Sequence, residues 1–313
     1  MLMFLLRRSM VLAITLLIVS VLAFLIPYVG EGDAARKILQ ARTNDPALTE
    51  AQVAALTSEL GLDRPIYVQY LDWLKNAVTG DFGFSYTSRT PVGELVTPAL
   101  SVSISLALAA LLLALVFALP LGITAATRRG GRVDNAITFL SQSAVSAPEY
   151  WVGPVLVLVF ARYLGWLPSG GWTGLAYIVM PALALSLRPL GYFTQVTRAA
   201  MSEVLAAPYI TAARSRGLSF PRTLARHGLR NSMLPVMTLF SFWFAGLMGG
   251  SVVIEVIFNI PGMGRLLYIS VINNDVPVIQ GAIMLILTLA VVINTITDLL
   301  YSVLNPAIRV TNA

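Results

Sequence analysis

The amino-acid sequence predicts an all-α integral membrane protein with six transmembrane helices, both termini in the cytoplasm, and a small helical extracytoplasmic domain between helices 1 and 2. Of its 313 residues, 57% are hydrophobic and 12% are charged, and the mean hydropathy is +0.78. Soluble domains average about 25% charged residues, so this chain has too little polar surface to cover a globule. The composition excludes a soluble enzyme, and long unbroken apolar runs favour helices over the alternating strands of a barrel.

Six segments are long and apolar enough to cross a hydrocarbon core of roughly 30 Å, which takes about 20 helical residues. They are residues 10–26, 101–123, 138–163, 175–193, 233–257 and 277–304. The first follows two arginines, as a signal peptide does, but the bulky sequence IPY at 26–28 is no cleavage site, so we expect an uncleaved helix. Two prolines and Arg188 interrupt the fourth segment, and we expect Arg188 to reach the cytoplasmic interface.

The distribution of arginines predicts the orientation of the chain. With both termini inside, thirteen of the 21 Lys and Arg are cytoplasmic, whereas the short outer loops hold only Arg162 and Arg265. The other six lie in a long outer stretch whose charge does not influence orientation. The cytoplasmic residues are Arg7, Arg8, Arg128, Arg129, Arg132, Arg188, Arg198, Arg214, Arg216, Arg222, Arg226, Arg230 and Arg309. The net charge of +6 therefore indicates topology rather than nucleic-acid binding.

The sequence divides into three parts. Residues 1–29 form the N-terminal tail and first transmembrane helix, residues 30–98 an extracytoplasmic domain, and residues 99–313 the transmembrane core. In the outer domain, Thr49 and Gln52 have the spacing of a capping box before a helix that stops at Gly61. A second amphipathic helix starts at Pro65 and ends at Gly80. So small a domain buries little apolar surface, and we expect it to lean on the transmembrane helices.

The predicted cytoplasmic loop at 194–232 is much longer than a simple connection requires. It contains six arginines, one acid and His227, the only histidine of the chain. The pattern predicts a short helix ended by Gly217 and a new helix starting around Ser219. Two interpretations are open at this point: an amphipathic helix on anionic lipid, or a docking surface for another protein.

No residue pattern in the sequence indicates a site that could supply energy for transport. It has no cysteine and one histidine, which excludes a thiolate nucleophile and Cys-ligated metals. Lys37 and Lys75 are the only lysines, and neither follows glycine as in a phosphate-binding P-loop. The ionisable residues in or near the spans form no visible proton relay, so the driving force for any transport must come from elsewhere. They are Glu149, Glu255, Asp298 and Arg188.

Several sequence motifs follow one another along nearly the whole chain. The cytoplasmic loop carries YITAARSRG (209–217) and HGLRN (227–231), and further motifs are LGLDRP (60–65), GDFGFS (80–85), IFNIPGMG (257–264) and DVPVIQ (275–280). In this order they resemble the dipeptide/oligopeptide/nickel permeases of binding-protein-dependent ABC importers, and specifically the first of the two peptide permeases, with the loop motifs similar to the family's EAA loop. The sequence departs from the family pattern at Thr211, where Glu is usual, at 30–34 after the first span, and at Ala307.

The resemblance implies a type I ABC importer permease in the bacterial plasma (inner) membrane. Its partners would be a homologous second permease, two cytosolic ABC ATPases, an extracytoplasmic solute-binding protein, the lipid bilayer and a peptide substrate. The chain itself would be no enzyme and bind no cofactor or metal, since ATP and Mg²⁺ would bind the ATPases. A coupling helix around 211–219 would seat in an ATPase groove, with Ala212, Ala213 and Gly217 on the docking side. The implied ATPase-coupling residues are Tyr209, Ile210, Thr211, Ala212, Ala213, Arg214, Arg216, Gly217, Leu218, His227, Arg230 and Asn231.

Polar side chains in the third and fifth spans are candidates for lining a translocation pathway. At helical spacing, Gln142, Ser146 and Glu149 fall on one face, and the fifth span adds Ser241. The alternative is that they form hydrogen bonds at the permease–permease interface. The same type of importer could also carry nickel or another small solute, and a non-transporting scaffold or an autonomous secondary carrier are alternatives of a different class.

The predicted orientation can be tested because the chain lacks cysteine. A cysteine at Ser58 should react with an impermeant maleimide added outside intact cells, whereas one at Ser219 should react only after permeabilisation. The reverse labelling pattern would contradict the orientation that the arginines predict.

Overall fold

The computed structural model describes residues 2–28, 34–43, 49–59 and 61–304. The described residues are helical except for turns, connections and one antiparallel bridge between Phe84 and Pro91. In chain order the helices are α1 (Leu2–Leu25), α2 (Ala34–Thr43), α3 (Glu50–Glu59), α4 (Ile66–Val78), α5 (Val92–Thr127), α6 (Arg132–Ser146), α7 (Glu149–Leu156), α8 (Leu175–Ala206), α9 (Pro208–Ser215), α10 (Phe220–Thr223), α11 (Arg230–Gly250), α12 (Val252–Ile257), α13 (Met263–Ile272) and α14 (Val276–Leu304). Two π-helical segments, Val157–Tyr163 and Leu224–Leu229, continue α7 and α10.

The all-α class and the membrane spans are confirmed. Five helices within the described residues are long and apolar enough to cross a membrane, and α6 with α7 and its π segment makes a sixth if this bent pair counts as one span. The capping box is also confirmed, since the Thr49 backbone N–H donates to Gln52 Oε1 at 2.9 Å and the Gln52 N–H to Thr49 Oγ1 at 3.4 Å. The departures at 30–33 and at Ala307 lie outside the described residues.

The third span is broken rather than continuous. Its two halves meet at 94°, because Ala147 and Pro148 are extended between α6 and α7. Proline cannot donate a helical hydrogen bond and disfavours helical geometry in the residue before it. The prediction that Gln142, Ser146 and Glu149 share one helix face is therefore wrong, since Glu149 begins a new helix in a different direction.

The fourth span is longer than the sequence indicated. Helix α8 runs through Pro181 and Pro189 and continues for 32 residues to Ala206, so the first part of the predicted loop at 194–232 is helical. Transmembrane helices tolerate proline because neighbouring groups satisfy the freed carbonyls. As a consequence Arg188 lies well inside a long helix rather than near the end of one.

The chain forms two compact units, and the first comprises Met1–Ser103 and Pro261–Val292. Within it, helix α4 packs on the end of α1 through aromatic rings: Phe24 lies 5.5 Å from Tyr70 and 5.9 Å from Trp73 between ring centroids. The Tyr28 hydroxyl donates to Gln69 Oε1 at 2.6 Å, beside these rings. Helix α4 therefore packs against the end of α1.

Asp275 ties two distant motifs of the first unit together. Its side chain is almost fully buried and accepts hydrogen bonds from Ser85 Oγ at 2.5 Å, from Tyr86 N at 3.0 Å and from Thr87 N at 3.3 Å. The connection around Ser85 is thereby fixed to the start of α14. This contact gives a physical reason for the motifs at 80–85 and 275–280, which are about 190 residues apart in sequence.

The second unit, Ile104–Ile260 and Ile293–Ala313, is built around α8. This helix packs against α6, α7 and α11. The closest approach is at Gly191, where an added Cβ would lie 2.4 Å from the Ser141 carbonyl oxygen and 2.6 Å from Val145 Cγ2. Glycine at this position lets the backbone of α8 come close to the backbone of α6, as small residues do in membrane helix pairs.

Replacement of Gly191 by alanine should destabilise the protein. The new methyl group would collide with backbone of α6, at a cost of about 1–3 kcal/mol, which should lower the thermal unfolding temperature in detergent. Gly246→Ala in α11 is the matched control, because nothing lies within 4 Å of its Cβ position and alanine favours helix there. Equal unfolding temperatures for the two variants would contradict the close α6–α8 contact.

Candidate functional site

The predicted coupling segment is a short helix bounded by clear stop signals. Helix α9 begins at Pro208, in the first-turn position that proline favours, and ends at Ser215. Gly217 follows with φ +87°, a conformation that favours glycine, and its N–H donates to the Arg214 carbonyl at 2.9 Å. The helix thus covers 208–215 rather than 211–219, and Ser219 precedes the first residue of α10.

Helix α9 has one face toward its own chain and one face free. Ile210 and Ala213 are buried, with 3% and 7% exposure. Thr211, Ala212 and Arg214 are exposed. The expectation that Ala213 lies on a docking side is therefore wrong, because its side chain packs into the chain itself, whereas Ala212 and Gly217 are exposed as expected.

The elements after α9 hold it in place. The Arg214 guanidinium lies 5.7 Å from the centre of the Phe220 ring, a cation–π contact between α9 and α10. The π segment that follows contacts α8, where the buried Gly228 lies against Met201. Tyr209 and Arg216 are exposed, Leu218 and His227 are half-buried, and the side chains of Arg230 and Asn231 lie outside the described residues.

An ion pair that the sequence analysis missed joins the cytoplasmic parts of α6 and α8. Arg198 Nε donates to Asp134 Oδ1 at 2.5 Å and Arg198 Nη2 to Asp134 Oδ2 at 2.8 Å, while the Gly130 N–H donates to Oδ2 at 2.9 Å. Asp134 is 1% exposed. In the sequence, Arg198 is one of many arginines predicted to be cytoplasmic. The available signal was an acid directly behind the basic run that ends at Arg132.

The candidate pathway residues do not form one group. Gln142 and Ser146 are exposed on α6, where Ser146 Oγ donates to the Gln142 carbonyl at 3.0 Å. Glu149 is half-buried at the start of α7. Ser241 is 4% exposed, and its hydroxyl bonds to the Met237 carbonyl and to Thr297 Oγ1. The pathway prediction for Ser241 is therefore wrong, since its hydroxyl joins α11 to α14 inside the chain.

The fold and this cytoplasmic site define a multi-pass membrane protein. A short helix with one exposed face lies in the cytoplasmic connection between two of its spans. Residues 118–310 match the sequence family described as binding-protein-dependent transport system inner membrane component. Residues 1–107 match the N-terminal family of the same membrane component. The chain belongs to this family: it is a permease subunit of a binding-protein-dependent transport system, located in the inner membrane.

Two curated relatives match the chain from end to end. The glutathione transport system permease protein GsiC of Escherichia coli (strain K12) is 38% identical over 310 residues, which cover 99% of both chains. The oligopeptide transport system permease protein AppB of Bacillus subtilis (strain 168) is 36% identical over 317 residues, covering 98% of this chain and 99% of AppB. The resemblance to peptide permeases is confirmed.

A solved structure shares the fold. A chain from inward-facing conformations of the MetNI methionine ABC transporter aligns with a TM-score of 0.58 at 16% sequence identity. The alignment covers 67% of this chain and 96% of that chain. At this identity the likeness shows the fold, which is that of an ABC importer permease.

Replacement of Arg198 should destabilise the protein more than replacement of Asp134. Arg198→Met leaves a carboxylate buried without its countercharge, at a cost of about 3–5 kcal/mol, and should strongly lower the thermal unfolding temperature. Asp134→Asn should cost about 1–3 kcal/mol, because Arg198 is one-third exposed and can reach water. Equal effects, or a double variant whose loss is the sum of the two single losses, would contradict a coupled buried pair.

Proposed function

We propose that this chain forms half of the translocation pathway of an ATP-driven importer of short peptides. The observation that carries the proposal is the end-to-end similarity to two permeases whose names specify glutathione and oligopeptide transport. As the first of two peptide permeases, it would pair with a homologous second permease. A solute-binding protein would deliver the cargo from outside.

ATP hydrolysis belongs, in this proposal, to two separate cytosolic subunits that bind ATP and Mg²⁺. The chain's own sequence supports this division, because neither Lys37 nor Lys75 stands in a Gly-Lys-Ser/Thr sequence. Energy must then enter through a contact surface. The exposed face of α9, formed by Thr211, Ala212 and Arg214, has the size and rigidity to serve as that contact.

The path from this contact into the membrane follows packed elements of the second unit. Helix α9 follows α8 after the single residue Ala207, and Ile210 and Ala213 pack it onto its own chain. The Asp134–Arg198 pair then links α8 to α6. Displacement of α9 would move these helices as a rigid group, which suits alternating access by helix rotation.

We propose that the pathway is lined in part by Gln142, Ser146 and Glu149. They belong to two helices that diverge at Pro148. The exposure of Gln142 and Ser146, together with the half-buried position of Glu149, supports this role, because polar groups at membrane depth require water or protein partners. An interface with the second permease would satisfy the same requirement and is the alternative.

Reconstitution in liposomes tests the proposed function. The complete complex, assembled from this chain, the second permease, the ATPases and the binding protein of the same system, should take up a labelled short peptide only with ATP present. Uptake by this chain alone would indicate a secondary carrier, and a complex that assembles without any uptake would indicate a scaffold. Uptake of Ni²⁺ but of no peptide would contradict the proposed cargo.

The proposed coupling contact predicts that Ala212→Trp blocks energy transfer. An indole on the exposed face of α9 would overfill a close helix contact, at about 1–3 kcal/mol, and should reduce peptide uptake and peptide-stimulated ATPase activity by roughly 10-fold. Ala51→Trp, at an exposed position of α3, is the matched control and should retain both activities. Normal uptake by Ala212→Trp would exclude this face as the contact.

A further inference from the structure

Arg188 is a charged residue within a helix that is a candidate membrane span. It lies 13 residues after the start of α8, or ~20 Å along the helix, within a helix of 32 residues. Ionisable residues within membrane spans almost always face a water-filled cavity or a protein partner.

Aromatic side chains lie beside Arg188. Its guanidinium lies 6.0 Å from the centre of the Trp243 ring, and the Tyr192 ring lies 5.5 Å from that of Trp243. Arg188 itself is exposed, and no described residue forms a salt bridge with it. Trp243 Nε1 is buried and has no hydrogen-bond partner among the described residues.

Glu149, at the start of α7, does not neutralise the guanidinium by direct contact, since the two form no salt bridge within 4 Å. The guanidinium therefore has capacity left for an anionic partner.

We propose that Arg188 binds the carboxylate of the peptide in transit, at a station inside the membrane. The inference rests on the proposed function. A carboxylate is an acceptor-only group that the planar guanidinium binds with two parallel hydrogen bonds. The face of the Trp243 ring, 6.0 Å from the guanidinium, supports Arg188 from one side by a cation–π contact.

The absence of cysteine from the chain allows the charge at position 188 to be removed and then restored. In the complete complex in proteoliposomes, Arg188→Gln and Arg188→Cys should reduce ATP-dependent uptake of a labelled dipeptide by roughly 10-fold or more. Arg188→Lys should retain most of it. Modification of Arg188→Cys with 2-aminoethyl methanethiosulfonate, which adds an ammonium group, should restore uptake, whereas the 2-sulfonatoethyl reagent, which adds a negative charge, should not.

Two controls make the outcomes distinct. Arg162→Gln, at an exposed arginine of the π segment after α7, should transport normally, and the unsubstituted complex treated with both reagents measures effects on the other subunits. The proposal is overturned if Arg188→Gln transports normally, if the cysteine resists both reagents, or if both adducts act alike. Loss of the second permease from purified Arg188→Gln complex would assign Arg188 to the permease interface instead. Failure of the unsubstituted complex to move peptide would overturn the proposed function itself.

Discussion

The buried ion pair between Asp134 and Arg198 fixes the arrangement on which the candidate site depends. Asp134 is 1% exposed, and its two oxygens accept two hydrogen bonds from the guanidinium and one from the Gly130 backbone. A buried carboxylate is tolerated only with such partners, since desolvation otherwise outweighs any gain. The pair holds α6 and the turn before it against α8. It thereby gives the α9 segment, which follows α8 almost directly, a fixed relation to the broken third span.

Helix α8 combines several roles because of its length. Near the predicted outer half it is apolar, at Arg188 it presents a charge, at Gly191 it touches α6, and at Arg198 it is bonded to Asp134. Each of these features occurs at a different position along one continuous helix. In the proposed mechanism, a movement at the cytoplasmic end would displace Arg188 and, through the Asp134–Arg198 pair, the α6 helix that ends before Pro148. This continuity is what a subunit driven from the cytoplasm needs, because packed helices shift as units rather than deform gradually.

The sequence analysis was accurate where neighbouring residues determine the structure. It was inaccurate where residues distant in sequence determine it. Helix ends governed by neighbouring residues were predicted well: Thr49 with Gln52, Pro65 and Gly217 all act within one turn. Errors arose at residues that are compatible with two different local structures. Pro148 ends a helix whereas Pro181 and Pro189 lie inside one, and only the surrounding helices decide between these outcomes. Likewise Ala212 and Ala213 are equivalent by composition, but one faces outward and the other is packed.

The sequence by itself determined the membrane class, the approximate spans and the family, because apolar length and ordered motifs are properties of the chain read in one dimension. Only the tertiary structure decided which polar groups meet. Asp134 with Arg198 and Ser85 with Asp275 are separated by 64 and 190 residues, and Ser241 turned out to be bonded to Thr297 inside the chain. The physical reason is that a hydrogen bond requires atoms within about 3 Å, and no local pattern encodes which distant side chains the packing of helices brings that close.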